Sequence, residues 1–410
     1  MVEQEEPKID MNLYSRQIGT FGMEAMGKLV KLKVLIVGQR GLGVETAKNL
    51  ILAGPNSVTL YDPNVVAIED LTSNFYLSED HVGKVSRAEA SLTQLSELNP
   101  YVKTNVISEF SVADVKNYSL ICFTENLSGF ESLVEMNEAC RAANVGFVLS
   151  ETLGAAGYLF VDYGVAHKVF DFDGEATKQF VISSIEQGQD PVVMVHEDKR
   201  HSYQDGDYVK FVEVEGMTEI NNHEPIMIKD CRGFQFKLDF DSSKFSGYTG
   251  QGIVENVKVP KPISFHSLAE SVANPIASSP DGMLMMPDMR LWGRANHSHA
   301  SVRAVHAFHQ AKGRYPTGAD EAEVDECLAL AKKFWTDADE PLQEDVAKNT
   351  ARYARNSISC QCAFYGGIVA QEIVKFTGKY SPLRQWLHYD IFETIPAEAN
   401  REPMGCRYDD

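Results

Sequence analysis

The sequence predicts an α/β fold in which a doubly wound, mostly parallel sheet is interrupted by a small β domain and a helical bundle. Three patterns along the 410 residues support this prediction. Apolar strands alternate with helical segments up to residue 149, as they do in βαβ units. Apolar and polar residues alternate singly within 171–262, and helical spacing dominates 263–352.

The amino-terminal part contains the βαβ unit with which the sheet begins. An apolar strand ends at Gly38, a helix covers Val44–Leu52, and a second strand covers Val58–Tyr61. The pattern continues with helices and strands near 84–98, 120–123, 130–143 and 145–149. Because strands and helices alternate, neighbouring strands are expected to run parallel.

The two interruptions differ in their periodicity. Residues 171–262 are expected to form an antiparallel β domain with a hairpin-type turn at Asp205-Gly206. Its clearest strand signal is a set of alternating apolar residues: Phe234, Phe236, Leu238 and Phe240. Residues 263–352 are expected to be helical, because one helix face carries Val324, Cys327, Leu328, Ala331, Phe334 and Trp335.

The last segment is expected to return to the first sheet. It contains an apolar helix, Ala363–Phe376, with the pair Gly366-Gly367, followed by a strand, Trp386–Phe392. The predicted segments are therefore 1–170, 171–262, 263–352 and 353–410.

Composition limits the partners and the cellular location that we expect for this protein. The formal net charge of −20 disfavours nucleic acid and anionic membranes as partners and favours a basic protein surface. The chain starts with acidic residues, lacks a run of eighteen apolar residues, and has seven cysteines. An odd cysteine number suits reduced thiols, so a cytoplasmic or nuclear location is expected.

A glycine-rich loop follows the first strand. Gly38-Gln39-Arg40-Gly41-Leu42-Gly43 lies where a dinucleotide or ATP loop would lie, and Asp62 ends the next strand. Arg40 occupies the position where a glycine lets the backbone approach phosphate, so we interpret the loop as a fold signature without its ligand. Phosphate binding by the charge of Arg40 remains the alternative. Asp62 is either a ribose ligand or, as we prefer, a solvated turn or capping residue.

Several longer stretches resemble the inactive adenylation half of single-chain ubiquitin-activating enzymes. They are Asn12–Ile18, Arg40–Asn49, Asp70–Leu77, Val257–Lys261 and Ala363–Gly367 with Gln371-Glu372. The resemblance covers essentially the whole chain and implies a Rossmann-like, ThiF/MoeB-like sheet. It identifies 171–262 with the first catalytic-cysteine half-domain and about 263–352 with a four-helix bundle. Cys406–Asp410 resembles the start of a second repeat.

The chain departs from the active half of such enzymes where that half handles nucleotide. Residues 73–77 lack the arginine and glutamine of the active motif, and Ser86 and Arg87 replace an expected lysine. Residues 123–126 offer Glu125 instead of the magnesium-binding aspartate, a weak metal site by itself. The resemblance therefore implies no catalytic residue, metal or cofactor in this half, although the full-length enzyme uses ATP and magnesium.

Arg16 is the exception. It matches the residue that crosses to the nucleotide phosphates of the partner half in this superfamily, in the manner of an arginine finger. The alternative is an ordinary surface arginine.

The cysteines and histidines give weaker signals. Cys360-Gln361-Cys362 has the wrong spacing for a metal or redox site, and no cysteine is expected to be the nucleophile. Four histidines could bind zinc but are expected to form a polar helix face: His297, His299, His306 and His309. The acidic stretch Asp320–Glu326 is expected to be a solvated helix start.

The resemblance implies a function shared with a missing half. The full-length enzyme would adenylate the ubiquitin carboxy terminus with ATP and form a thioester. This half would be an inactive scaffold whose partners are ubiquitin, the active adenylation half and, through the whole protein, ubiquitin-conjugating enzymes. The alternatives are a regulatory subunit of a heterodimeric activating enzyme for a ubiquitin-like modifier, a nucleotide-dependent oxidoreductase, and a sulfur-carrier adenylyltransferase. Arg40 and the absence of Cys-x-x-Cys pairs weigh against the last two.

Overall fold

The computed structural model describes residues 9–127, 129–197, 200–277, 279, 284, 293–337 and 339–394. The chain divides into two compact units. The first unit contains the chain up to His167, residues 263–377, and the chain from Pro382 onward. The second unit contains 168–262 and 378–381. The predicted repeat start at Cys406–Asp410 lies outside the described residues.

The first unit is built on a seven-stranded sheet with the order β15-β6-β5-β4-β1-β2-β3. Its strands are β1 (Lys33–Val37), β2 (Ser57–Tyr61), β3 (Lys103–Val106), β4 (Leu120–Phe123), β5 (Gly146–Leu153), β6 (Ala156–Asp162) and β15 (Trp386–Asp390). Strands β1 to β5 pair in parallel, whereas β6 pairs antiparallel with β5 and β15. The mostly parallel sheet and its return strand are thus confirmed.

Helices flank this sheet because its central strands are apolar on both faces. They are α1 (Ser15–Leu29), α2 (Gly41–Ala53), α3 (Arg87–Glu97), α4 (Phe130–Ala143) and α9 (Ser359–Lys375). Helices α2 and α9 pack closely: a Cβ added at Gly366 would lie 2.5 Å from the Cβ of Glu45. The glycine in the predicted pair therefore permits a close helix–helix approach.

The remaining described helices of the first unit follow β6 and precede α9 in the sequence. They are α5 (Leu268–Ala273), α6 (Arg294–Lys312), α7 (Glu321–Phe334) and α8 (Glu344–Tyr353). The predicted face of α7 is buried at Val324, Cys327, Leu328 and Ala331. The carboxylate of Asp320 accepts the N–H of Ala322, so the acidic stretch does begin a helix. None of the described helices combines the length and apolarity needed to span a bilayer.

The second unit is a closed antiparallel barrel, as the alternating pattern predicts. Its strands are β8 (Gln179–Ile185), β9 (Val192–Val195), β10 (Tyr208–Val212), β11 (Ile226–Arg232), β12 (Gln235–Leu238) and β13 (Ile253–Val257). Phe211, Phe236 and Leu238 fill its interior. The chain passes between units in the short strands β7 (His167–Val169) and β14 (Lys261–Ile263).

Candidate functional site

The candidate site lies at the carboxyl ends of β1, β2 and β4. Strand β1 has β2 on one side and β4 on the other, so the strand order reverses there. Ligands of doubly wound sheets bind in the crevice outside such a switch point. A cavity of about 1030 Å³ occupies this position. Its walls include Arg40, Asp70, Arg87, Glu125, Asn126, His309, Arg314, Tyr315 and Arg355.

The predicted glycine loop borders this cavity, and its glycines are required by packing within the protein. Gly38 has a φ of +96°, a conformation that favours glycine. A Cβ added at Gly43 would lie 2.1 Å from the carbonyl oxygen of Gly38, and one at Gly41 would lie 2.6 Å from the Cβ of Ser73. The loop therefore closes on itself and on a neighbouring segment.

Arg40 turns toward the connection between β2 and α3. It precedes α2 with extended backbone angles and makes no side-chain cap. Its Nε donates to Asp70 Oδ1 at 3.2 Å, and about a quarter of its side chain (27%) is exposed. The position that would be the second glycine of a phosphate loop thus holds a cation paired with a buried carboxylate.

Arg87 is the centre of the polar cluster beneath the cavity. Its side chain is 6% exposed and contacts three carboxylates. Nε lies 2.8 Å from Asp62 Oδ2, Nη1 lies 3.3 Å from Asp70 Oδ1, and Nη2 lies 3.0 Å from Glu125 Oε2. Desolvation opposes its charge, but the charges of Glu125, Asp62 and Asp70 outweigh that effect, so the pKa of Arg87 is raised.

Asp62 corrects one prediction. It is 2% exposed, so our expectation that it is solvated was wrong, whereas the hydrogen bond that it accepts from a backbone N–H two residues on is that of a turn residue. Its carboxylate accepts the backbone N–H of Gln39 at 2.8 Å and that of Asn64 at 3.0 Å, besides the contact with Arg87. Asp62 therefore links the glycine loop to the start of α3.

Glu125 is held between opposing effects. Burial raises its pKa to about 7, although the charge of Arg87 lowers it. One of its oxygens is already paired with Arg87, which weakens this carboxyl further as a ligand for magnesium. Among the described residues, no group of three or more His, Cys, Asp or Glu side chains is placed to hold a metal ion.

Arg16 lies away from this cluster. Tyr14, two residues before it, accepts a hydrogen bond from Asn99 Nδ2 at 2.9 Å and packs against Gly54, and Gln17 Nε2 donates to Leu52 O at 3.1 Å. These contacts place the start of α1 at the carboxyl end of α2. The glycine loop lies at the other end, about 20 Å away for a 13-residue helix. The structure does not bring Arg16 to the loop.

Arg16 is itself exposed, and no hydrogen bond or ion pair of its guanidinium occurs among the described residues. Large apolar side chains are also exposed in the same segment and in its immediate neighbours: Met11, Leu13, Leu52 and Tyr101, each between 46% and 58%. Exposed apolar side chains near an unpaired arginine are typical of an interaction surface.

The histidines of α6 correct a second prediction. His297, His299 and His306 are at most 5% exposed, so they do not form a polar surface face. His306 contacts a fully buried carboxylate: its Nε2 lies 3.2 Å from Glu151 Oε2, and the Tyr158 and Tyr315 hydroxyls donate to the same carboxylate. Burial raises the pKa of Glu151, but the charge of His306 and these hydrogen bonds lower it overall.

Five of the described cysteines have a raised pKa. Burial raises the pKa of Cys140, Cys231 and Cys327 to about 12, and raises that of Cys122 and Cys362. Cys360 is exposed, whereas Cys362 is buried, so the two thiols of the Cys-x-Cys word have different environments.

The sequence did not lead us to predict a structural role for Arg87, which we noted only because Ser86 and Arg87 replace an expected lysine. The available signal was the number of acids in the connections that follow β2 and β4, since carboxylates such as Asp62, Asp70 and Glu125 require a cation once buried. The Glu151–His306 pair had no local signal, because 155 positions separate its members.

Comparison with known proteins adds the family context. The sequence profile of the ThiF family matches residues 14–406. Ubiquitin-activating enzyme E1 1 of Candida albicans is 36% identical over 98% of this chain and 40% of its own length. Ubiquitin-like modifier-activating enzyme 1 of Oryctolagus cuniculus is 37% identical over 98% of this chain and 38% of its own length.

Ubiquitin-activating enzyme E1 1 of Schizosaccharomyces pombe is 37% identical over 98% of this chain and 39% of its own length. The chain is thus similar to the amino-terminal part of these relatives and spans about 40% of the first. The solved structure of E. coli MccB with succinimide aligns with 38% of this chain and 48% of that chain, at 20% identity and a TM-score of 0.32.

Proposed function

The chain belongs to the ThiF family, and from this premise we propose that it is the non-catalytic adenylation half of a ubiquitin-activating enzyme. In this role it supports adenylation of the ubiquitin carboxy terminus by a second half without binding ATP itself. The observation that carries the proposal is the buried cluster in which Arg87 pairs with Asp62, Asp70 and Glu125. This cluster lies where an active half would handle phosphate and magnesium.

The residues at the switch point do not fit ATP and magnesium. The cavity of about 1030 Å³ is roomy, so the misfit is chemical. Phosphate needs cations and backbone N–H groups that are free to bind it, but Arg87 is committed to three carboxylates and Arg40 is paired with Asp70. Magnesium needs ionised oxygen ligands that are free to bind it, but burial raises the pKa of Glu125 to about 7 and its Oε2 pairs with Arg87.

Arg16 is the residue of this half that would act at a nucleotide. Its exposed guanidinium lies about one helix length from its own glycine loop, which suits contact with a separate half. The exposed apolar residues Met11, Leu13, Leu52 and Tyr101 would be covered by that half. A planar guanidinium can form bidentate hydrogen bonds to phosphate oxygens as charge develops there.

The other partners follow from the same role. Ubiquitin would bind against the barrel of 168–262, and ubiquitin-conjugating enzymes would be engaged by the completed enzyme. The net charge of −20 favours approach of a basic modifier surface by electrostatic steering. The corresponding location is the cytoplasm and nucleus.

The test is reconstitution with a separately produced catalytic half, with ubiquitin thioester formation as the readout. Neither half alone should form thioester, and the mixture should. Arg16→Ala should slow the mixture at least tenfold, since arginines that stabilise phosphoryl charge contribute on the order of 10³ in comparable sites.

Arg355→Ala is the matched control. Its side chain is also exposed (64%), but it lies at the cavity of this half, 3.9 Å from Glu69. The proposal predicts an unchanged rate for this variant. An Arg16→Ala variant as active as the native chain would contradict the assigned role of Arg16, and a rate lost only with Arg355→Ala would point to nucleotide in this half.

A further inference from the structure

A second, smaller cavity lies between α6 and the sheet. It measures about 170 Å³ and is separate from the switch-point cavity. His306 lies in its wall, while Asn126, 3.2 Å from His306, lies in the wall of the larger one. The apolar lining of the small cavity includes Phe130, Tyr158, Val302, Phe334 and Trp386.

The size of this cavity fits one small apolar group. An apolar cavity of roughly 150 Å³ in a protein core stays dry and binds a ligand the size of benzene. At about 170 Å³, the present cavity has room for one six-membered ring or a branched chain of similar volume. It is partly open to the surface at α6, so a ring could carry a polar substituent that remains outside.

Arg303 supplies a charge at the edge of this cavity. It is half-buried, and its guanidinium lies 4.3 Å from the centroid of the Phe334 ring. Within the described part of the chain, no carboxylate pairs with it. Arg141 and Arg294, which are also partly buried in this unit, pair with Asp162 and Asp390 at 2.8 Å. Desolvation lowers the pKa of Arg303, so an anion would relieve the cost of its burial.

The other polar groups in the wall already have partners. His299 Nε2 lies 2.9 Å from the carbonyl oxygen of Val272, His306 contacts Glu151, and Gln310 Nε2 donates to Glu131. The guanidinium of Arg303 is therefore the charged group available to an incoming ligand among the described wall residues.

We propose that this cavity binds a small apolar carboxylate, whose ring or branched chain fills the cavity while its carboxylate pairs with the Arg303 guanidinium. The volume of the cavity limits the apolar part of the ligand to about one ring. The charge of Arg303 favours a ligand with a carboxylate, because a guanidinium binds a bidentate carboxylate more strongly than a neutral group. This site is independent of the function proposed above.

The test uses benzoate as the probe on the full chain, with ligand-observed NMR and calorimetry as readouts. Benzoate should bind with a Kd of roughly 1 mM, near what a ligand of its size can reach with one charged contact. Benzyl alcohol, which keeps the ring but not the charge, should bind about tenfold more weakly, and acetate should not bind detectably.

Three variants locate the site. Arg303→Gln should weaken benzoate to the level of benzyl alcohol, Arg303→Lys should retain part of the affinity, and Ala307→Leu should abolish binding by filling the cavity. Thermal melting checks that each variant is folded. The ligand comparison on the native chain decides the matter if a variant does not fold.

Equal binding of benzoate and benzyl alcohol would overturn the role of Arg303. Absence of benzoate binding, or binding unaffected by Ala307→Leu in a folded variant, would overturn the site itself.

Discussion

Removing the Arg87 side chain is the sharpest perturbation of the candidate site. Arg87→Ala leaves three carboxylates without their shared cation, in a place where the side chains of Asp62 and Asp70 are 0% and 3% exposed. Breaking a buried ion pair in this way typically costs about 3 to 5 kcal/mol. Asp70 keeps Arg40, and Asp62 keeps its two backbone N–H donors, so we expect about 3 kcal/mol.

The stability lost in Arg87→Ala should depend on pH. Arg87 lowers the pKa of Glu125, which is nevertheless raised by burial to about 7. Without Arg87 the folded-state pKa rises further above the unfolded value. A group whose folded pKa is raised loses its stabilising contribution as pH increases through that value. The stability of the variant should therefore fall further below that of the native chain at pH 8.5 than at pH 6, by about 1.4 kcal/mol for each pH unit by which the pKa of Glu125 rises.

Urea unfolding followed by tryptophan fluorescence measures this effect. No tryptophan lies within 168–262, and Trp335 and Trp386 belong to the first unit, so the signal does not report the barrel. Arg16→Ala, an exposed residue, is the control and should change stability by less than about 0.5 kcal/mol. Arg87→Lys should fall between the two, because an ammonium cannot contact three carboxylates in the guanidinium geometry. A loss below about 1 kcal/mol for Arg87→Ala, or one independent of pH, would refute the reasoning.

Three further predictions concern the loop, the histidines and the start of α1. Gly43→Ala should lower stability by about 1–3 kcal/mol in thermal melting, because its Cβ would lie 2.1 Å from Gly38 O. Gly367→Ala, also helical but with open space around it, should not destabilise. Burial lowers the pKa of His299 to about 4. The neutral His299 side chain therefore contributes to the free energy of unfolding above pH 6.5. This contribution, at most about 3 kcal/mol, is lost as the pH falls toward 4. His299→Gln should flatten the acid limb of a stability–pH curve. Tyr14→Phe should cost about 1 kcal/mol through the lost bond from Asn99, and an unchanged unfolding midpoint would contradict this.

The sheet and its loop could be predicted because their signals are local. The strand before Gly38, the glycine spacing and the helix after it all fall within about twenty residues, where hydrophobic periodicity is informative. The barrel was predictable for the same reason, since Phe236 and Leu238 alternate with polar residues along one strand.

The polar cluster could not be predicted in the same way. Asp62, Asp70 and Arg87 belong to the connection from β2 to α3, whereas Glu125 belongs to the connection after β4, and only the folded sheet brings the two connections together. An aspartate at a strand end has the same local pattern whether it is solvated or paired, so the sequence pattern favoured the commoner solvated case for Asp62.

The prediction that the α6 histidines form a polar helix face was wrong because other elements cover this helix on more than one side. It packs against α7 and α8 as well as against the sheet, so polar residues such as His299 and His306 occupy buried positions. A helix in that position lacks the single apolar stripe from which a surface face is inferred.

The central claim is that this half has no nucleotide site of its own. Calorimetric titration of the isolated chain with ATP and magnesium tests it most directly, with thermal melting under the same conditions as a second readout. We predict no saturable heat and no shift of the melting temperature. Saturable binding that is weakened by Arg40→Ala or Arg355→Ala would contradict the claim and place nucleotide in the switch-point cavity.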